Sequence, residues 1–195
     1  ERLTKNYGGS PALVDLDLAV EAGEVFGYLG PNGSGKTTTM RLLLGLIRPT
    51  AGRAEVFGGD ARRDAVAIHH RLAYVPGDAA LWPALTGAET LHLLGRIQGT
   101  VDVAYRDELV ERFELDPGKR VREYSRGNRQ KLSLIAALMT RAELLVLDEP
   151  TAALTPTEAD RLFAIVRTLR ARGTSVIFIS HRLEELPGLV DTVTV

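Results

Sequence analysis

The amino-acid sequence predicts an α/β domain: a mainly parallel sheet with crossover helices, an antiparallel β subdomain beside it, and an inserted α-helical subdomain. Three observations carry this. Val25 to Leu29, Leu144 to Leu147 and Val176 to Ile179 are short, apolar, β-branched runs without the alternation of a half-wet strand, so they read as strands buried on both faces. Met40, Leu43, Leu44 and Ile47, and again Leu162, Ile165, Val166 and Leu169, have the i, i+3, i+4, i+7 spacing of helices laid on a sheet. From Thr86 to Met139 the signals are almost wholly helical, which reads as an insertion between two core strands.

Length and composition set the limits. A chain of 195 residues fits one domain, and a core of that size buries about 70% of the unfolded surface without staples. Lys and Arg total 24 against 25 acids, a net charge of −1, so nothing attracts nucleic acid or an anionic membrane globally. Cysteine is absent, which excludes a disulfide framework or a thiolate metal site. No stretch approaches the roughly 18 apolar residues of a membrane span. The chain begins at Glu1 rather than Met and reaches Val195 on a strand-like run from Asp191, so it is expected to be part of a longer polypeptide, truncated at both ends.

In chain order, Leu16, Leu18 and Val20 alternate with polar or small residues, and Arg53 to Phe57 is another short strand candidate; these form the expected antiparallel layer. Between the strand Val25 to Leu29 and the helix after it lie Gly30, Pro31, Asn32, Gly33, Ser34, Gly35, Lys36 and Thr37, followed by Thr38. This fits G-x-x-x-x-G-K-[ST] at the place where the mechanism needs it. Glycines let backbone N–H groups turn toward phosphate oxygens, the helix N-terminus adds positive potential, Lys36 reaches the β and γ phosphates, and Thr37 ligates Mg²⁺. The core is therefore predicted to be a P-loop NTPase, RecA-like, rather than a dinucleotide-binding domain, since the third glycine of that loop is missing.

Further along, Thr86 to Glu89 is a capping box, Leu109, Val110 and Phe113 mark another helix, and Asp116, Pro117 and Gly118 break it. Tyr124, Ser125, Arg126, Gly127 and Asn128 form a polar turn ahead of an apolar helix. After that helix the run Leu144 to Leu147 ends in Asp148 and Glu149, before Pro150 stops the strand. Asp148 is suited to the Mg²⁺ shell and Glu149 to polarising the water that attacks a γ phosphate in line. His181 follows the strand Val176 to Ile179 and Ser180, which places it at the same C-terminal sheet edge. His69, His70 and His92 have no ligand partners in the sequence and read as surface or packing residues. Lys119, Arg120, Arg122, Arg126, Arg129 and Lys131 form a basic run that reads first as a solvated face and alternatively as counter-charge for a nucleotide's phosphates, without the interleaved aromatics of a nucleic-acid surface.

From Leu3 through Tyr7 and Gly8 to Ser180 and His181, the chain resembles an ATP-binding cassette (ABC) nucleotide-binding domain. The turn at 125–128 before the paired acids is the specific mark. The resemblance implies a core of residues 1–76 and 141–195 around a helical subdomain of about 77–140. It implies an ATP-hydrolysing motor at the cytoplasmic face of the cell membrane, held there by a transmembrane permease that docks near Gly77 to Gly99, with Trp82 as a candidate contact. It further implies a head-to-tail pair with a second cassette, identical or not, in which Ser125 and the Gly127 backbone reach ATP in trans. Tyr7 would stack on adenine and His181 would touch the γ phosphate; Lys36, Glu149 and His181 form the catalytic set. The wording of the turn resembles bacterial drug- and lipid-efflux ATPases, and no nucleic-acid partner is implied.

Departures from the family pattern bear on coupling. Gly77 stands where a glutamine is usual, with Asp78 as a candidate substitute; Thr155 stands where an aspartate is usual; Arg126 and Asn128 vary the turn. Two other readings are a non-transport ABC ATPase acting on ribosomes or DNA, which usually carries two cassettes or a coiled coil, and a regulatory subunit that binds ATP but scarcely hydrolyses it.

Overall fold

The computed structural model describes residues 1–31, 33–99 and 101–194. β1 (Leu3–Tyr7) and β2 (Ser10–Leu16) form an antiparallel hairpin with Tyr7 opposite Ser10. Gly8 and Gly9 close it at φ values of 54° and 91°, the left-handed conformations a two-residue turn demands. β3 (Val25–Leu29) enters the core and runs into α1 (Lys36–Leu43). β4 (Glu55–Val56) and β5 (Gly59–Asp60) make a second small hairpin, α2 (Ala65–His69) follows, and a lone bridge from Thr4 to Ala51 ties the first hairpin to this region.

β6 (Leu72–Val75) returns to the core. The chain then builds α3 (Gly87–Gln98), α4 (Val103–Arg112) and α5 (Arg126–Leu138) before β7 (Leu144–Asp148), α6 (Pro156–Ala171), β8 (Ser175–Ser180) and β9 (Thr192–Thr194). The main sheet has five strands in the order β6-β7-β8-β3-β9. Every neighbouring pair is parallel.

Strand periodicity explains why the core strands are apolar throughout. Val25, Leu147, Val176 and Phe178 point to one face, against Leu132 and Ile135 of α5 and Leu162 of α6. Phe26, Val146, Ile177 and Ile179 point to the other, against Met40 of α1 and Ile68 of α2. With helices on both faces, no position on these strands is left for water.

Local rules account for the helix ends. Thr86 and Glu89 form the reciprocal box, with Glu89 N–H donating to Thr86 Oγ1 at 3.2 Å and Thr86 N–H to Glu89 Oε2 at 2.7 Å. The break at Asp116 is an Asx turn, its Oδ1 accepting from Gly118 N–H at 3.0 Å. Three expectations need correction. The alternation through Leu18 and Val20 lies beyond β2, in an irregular link into β3; the strand candidate at Arg53 to Phe57 shrinks to two residues. The stripe through Ile47 outruns α1, because Gly45 turns at φ 67° where a Cβ would meet the Ala61 carbonyl oxygen at 2.3 Å. Among the described residues no helix is long and apolar enough to cross a membrane.

Candidate functional site

Three adjacent parallel strands deliver the chemistry to one edge. Leu29 at the end of β3 is in register with Ser180 of β8, and Ile179 with Asp148 of β7. The loop carrying Gly30, Gly33 and Gly35, the acids Asp148 and Glu149, and His181 thus emerge side by side at the C-terminal ends of the strands, where open α/β sheets place ligands.

The glycine loop has the conformations that backbone phosphate contacts need. Gly30, Gly33 and Gly35 have φ values of 153°, 89° and 93°. A Cβ on Gly30 would sit 2.5 Å from Ser34 Oγ, and one on Gly35 would sit 2.7 Å from the Ala12 carbonyl oxygen, so side chains are excluded there. Gly35 caps α1 without any side-chain acceptor, and no acidic residue lies in the first turn; the helix N–H groups therefore remain available to an anion. Lys36 is buried, and its Nζ donates to the carbonyls of Gly30 at 2.5 Å and Pro31 at 2.9 Å. Thr37 is exposed in the first turn and Thr38 half-buried. Asn32 lies outside the described residues.

Glu149 sits at φ 46°, a left-handed backbone uncommon for a side-chain-bearing residue and here fixed by its N–H to the Ile179 carbonyl at 3.0 Å. That twist turns the carboxylate toward β8, and its Oε1 lies 3.1 Å from His181 Nδ1. Asp148 points to the opposite side. Its Oδ2 accepts from the Tyr74 hydroxyl at 3.3 Å. Burial raises the Asp148 pKa above the usual carboxylate range, with the Tyr74 hydrogen bond opposing and Glu149 adding to the rise. Burial first, then the neighbouring carboxylate, pushes the Tyr74 hydroxyl well above its ordinary value, so it remains a donor.

Ser125 caps α5, accepting from Asn128 N–H at 3.1 Å, which leaves its own hydroxyl proton free to donate. Gly127 is required by a close approach: a Cβ would lie 2.7 Å from the Ala153 carbonyl oxygen, in the segment that follows the paired acids. Thr155, where an aspartate is usual, caps α6 in a capping box with Glu158. Glu158 also meets Lys131 of α5 at 2.9 Å. Burial works to raise the Glu158 pKa, but the Thr155 backbone N–H and Lys131 outweigh it and hold the carboxyl below the usual range. Lys131 is therefore a correction to the solvated basic face, being buried and paired, whereas Arg126 is exposed.

Gly77 lies directly on the acids, its Cβ position 3.1 Å from the Asp148 carbonyl oxygen and 3.5 Å from Glu149 Cβ. Asp78 is exposed. Tyr7 ends β1 half-exposed with Lys5 Nζ 5.0 Å from its ring centroid, on the hairpin whose other strand touches Gly35 through Ala12. Trp82 is 45% exposed, so it is not a core-packing residue. His69 is a packing residue, with Nε2 2.9 Å from the Leu44 carbonyl oxygen.

Sequence reasoning missed Gln130, Tyr74 as a partner of Asp148, and Glu185. Gln130 is 3% exposed on α5, and its Nε2 is 3.5 Å from the Pro76 carbonyl oxygen beside Gly77. A polar residue on the apolar stripe of α5 was the available signal.

Residues 13–152 match the family model described as ABC transporter. The chain is 45% identical over 196 residues to the daunorubicin resistance ATP-binding protein DrrA3 of Streptomyces coeruleorubidus, covering 98% of this chain and 62% of that protein. It is 39% identical over 208 residues to the putative ribose/galactose/methyl galactoside import ATP-binding protein 1 of Rhizobium meliloti (strain 1021), covering 99% of this chain and 40% of that protein. The chain thus spans less than two thirds of these relatives. Among solved structures it resembles an ATP-binding subunit of an ABC transporter, with a TM-score of 0.91 and 25% identity over 99% of this chain and 82% of that one. A dimeric ATP-binding cassette in a post-hydrolysis state bound to ADP and Pi shares the fold at a TM-score of 0.85 and 22% identity, over 95% and 88% of the two chains.

Proposed function

Given that this chain belongs to the ABC transporter family, we propose that it binds ATP and hydrolyses it to ADP and phosphate as the motor domain of a transporter. The observation that carries the reading is the Glu149–His181 contact of 3.1 Å beside the glycine loop. The backbone of Gly30 and of residues 33–37 cradles the phosphates, and Lys36 turns from its loop carbonyls to phosphate oxygens. Glu149 takes the proton of the attacking water, and His181 holds that carboxylate while facing the γ phosphate. The Thr37 hydroxyl and the Asp148 carboxyl are hard oxygen donors of the kind Mg²⁺ takes, and Tyr74 engages only Oδ2 of Asp148. When bound there, Mg²⁺ supplies charge neutralisation between the phosphates.

The site is completed by a second cassette, whose Ser125 hydroxyl and Gly127 backbone close on the γ phosphate. The dimeric cassette of shared fold supports this pairing. Tyr7, exposed at the hairpin end, stacks on adenine. A membrane permease docks on the segment from Gly77 to Gly99, where Trp82 is exposed and Gly77 abuts the acids, and it keeps this domain at the cytoplasmic face of the membrane. The exporter direction rests on the 45% likeness to a drug-resistance ATP-binding protein. Gly77 fits closely against the Asp148 carbonyl and Thr155 caps α6, so neither residue by itself favours a weakly hydrolytic subunit.

Substituting Glu149→Gln should lower turnover by about 10²–10⁴-fold while equilibrium ATP binding persists. Turnover within a few-fold of the unsubstituted protein would remove Glu149 as the base.

A further inference from the structure

Glu185 ends a 3-10 turn, Leu183–Glu185, just past His181, and its side chain is only 9% exposed. Donors from two segments converge on this one carboxylate. Thr151 Oγ1 donates toward Oε1 at 2.8 Å and Oε2 at 2.9 Å. Ser180 Oγ donates to Oε2 at 2.9 Å, and Arg182 Nη1 donates to Oε1 at 3.2 Å. Ser180 Oγ in turn accepts from the Arg182 backbone N–H at 3.0 Å.

The positions of the donors give this cluster its meaning. Thr151 lies just past Glu149, separated from it by Pro150, and is 4% exposed; Ser180 and Arg182 flank His181, and Ser180 is 2% exposed. Glu149 and His181 themselves sit on separate strand ends, each with its side chain part-exposed. Besides the Glu149 N–H bond to the Ile179 carbonyl and the Glu149–His181 contact itself, the two segments are linked through Glu185. A buried carboxylate is costly unless its oxygens are satisfied, and here hydroxyls from both catalytic segments satisfy it. A packing role would be served by an apolar side chain at no such cost.

We propose that Glu185 is a positioning residue for hydrolysis: it fastens the segment after Glu149 to the segment carrying His181 and so sets the separation of that pair. This rests on the hydrolytic reading of the site. The hydrogen bonds of Glu185 go to Thr151, Ser180 and Arg182 rather than to Glu149, Lys36 or the glycine loop, so its loss displaces the pair while leaving the loop and Lys36 in place. A displacement on the order of 1 Å in a reacting group lowers rates by up to about a hundredfold.

The test compares steady-state ATP turnover and equilibrium binding of a fluorescent ATP analogue in the full-length protein and in Glu185→Ala, Glu185→Gln, Thr151→Val and the Thr151→Val/Glu185→Ala double variant. Glu185→Ala should lower kcat by roughly ten- to a hundredfold with the dissociation constant changed less than about twofold. Glu185→Gln should recover part of the loss, because its amide oxygen still accepts a hydroxyl. The double variant should be no slower than Glu185→Ala alone, as two substitutions in one linkage are not additive. Unchanged kcat, or kcat and binding lost together, overturns the proposal. If Glu185→Ala does not fold, Glu185→Gln and Thr151→Val decide by the same split between kcat and binding. Absence of turnover in the unsubstituted protein overturns the hydrolytic reading itself, an outcome distinct from normal turnover in every variant.

Discussion

Asp148 sits where a carboxylate is poorly solvated, and burial raises its pKa although Tyr74 and Lys36 oppose the rise. Folding therefore favours the neutral acid more than the unfolded chain does. The cost to stability is greatest at neutral pH and fades as pH falls through the raised value. Asp148→Asn should accordingly raise the melting temperature at pH 7, with a smaller gain near pH 4, while metal-dependent turnover is lost; calorimetry at the two pH values checks it, and a lower melting temperature at pH 7 would contradict it. The acids themselves were legible, because an apolar run that ends abruptly in Asp148 and Glu149 before Pro150 announces itself locally. Their partners were not. Tyr74 lies 74 positions from Asp148, and Thr151 lies 34 from Glu185. Only the fold brings such pairs together, and neither Tyr74 nor Glu185 breaks the pattern of its own segment.

Thr155 shows how an element can use a residue that departs from the family pattern. Its hydroxyl accepts from Glu158 N–H at 3.3 Å and its N–H donates to Glu158 Oε2 at 2.8 Å, closing the start of α6. Thr155→Ala should cost about 1 kcal/mol, read from urea unfolding, whereas Thr155→Asp should be near neutral because aspartate caps equally well. A neutral Thr155→Ala would show the cap to be idle. Capping boxes are short-range, which is why the box at Thr86 was readable in advance. β6 was not, since Leu72–Val75 is only four residues long and gains its identity from pairing with β7. Lys131 was misplaced for a related reason: counting charges along a chain does not say which side of a helix turns inward, and its partner Glu158 belongs to another helix.

At the scale of the whole molecule, burial on both faces of the sheet makes the core strands intolerant of voids. Phe178 is 0% exposed on β8, with its ring centroid 6.0 Å from that of Phe163. Phe178→Ala should cost about 3–5 kcal/mol, a large part of the roughly 5–15 kcal/mol that holds a domain together; chemical denaturation reads this directly, and a loss under about 1 kcal/mol would mean the site collapses on itself. The same rigidity bears on timing. The backbone approach of Gly127 to Ala153 and the ion pair of Lys131 with Glu158 join the capped turn of α5 to the chain that leaves β7. In the head-to-tail pair proposed above, that turn would face the neighbour's nucleotide and the departing chain this one's. Through those two contacts a shift of either would be carried to the other, so in such a pair release at one nucleotide would be felt at the second.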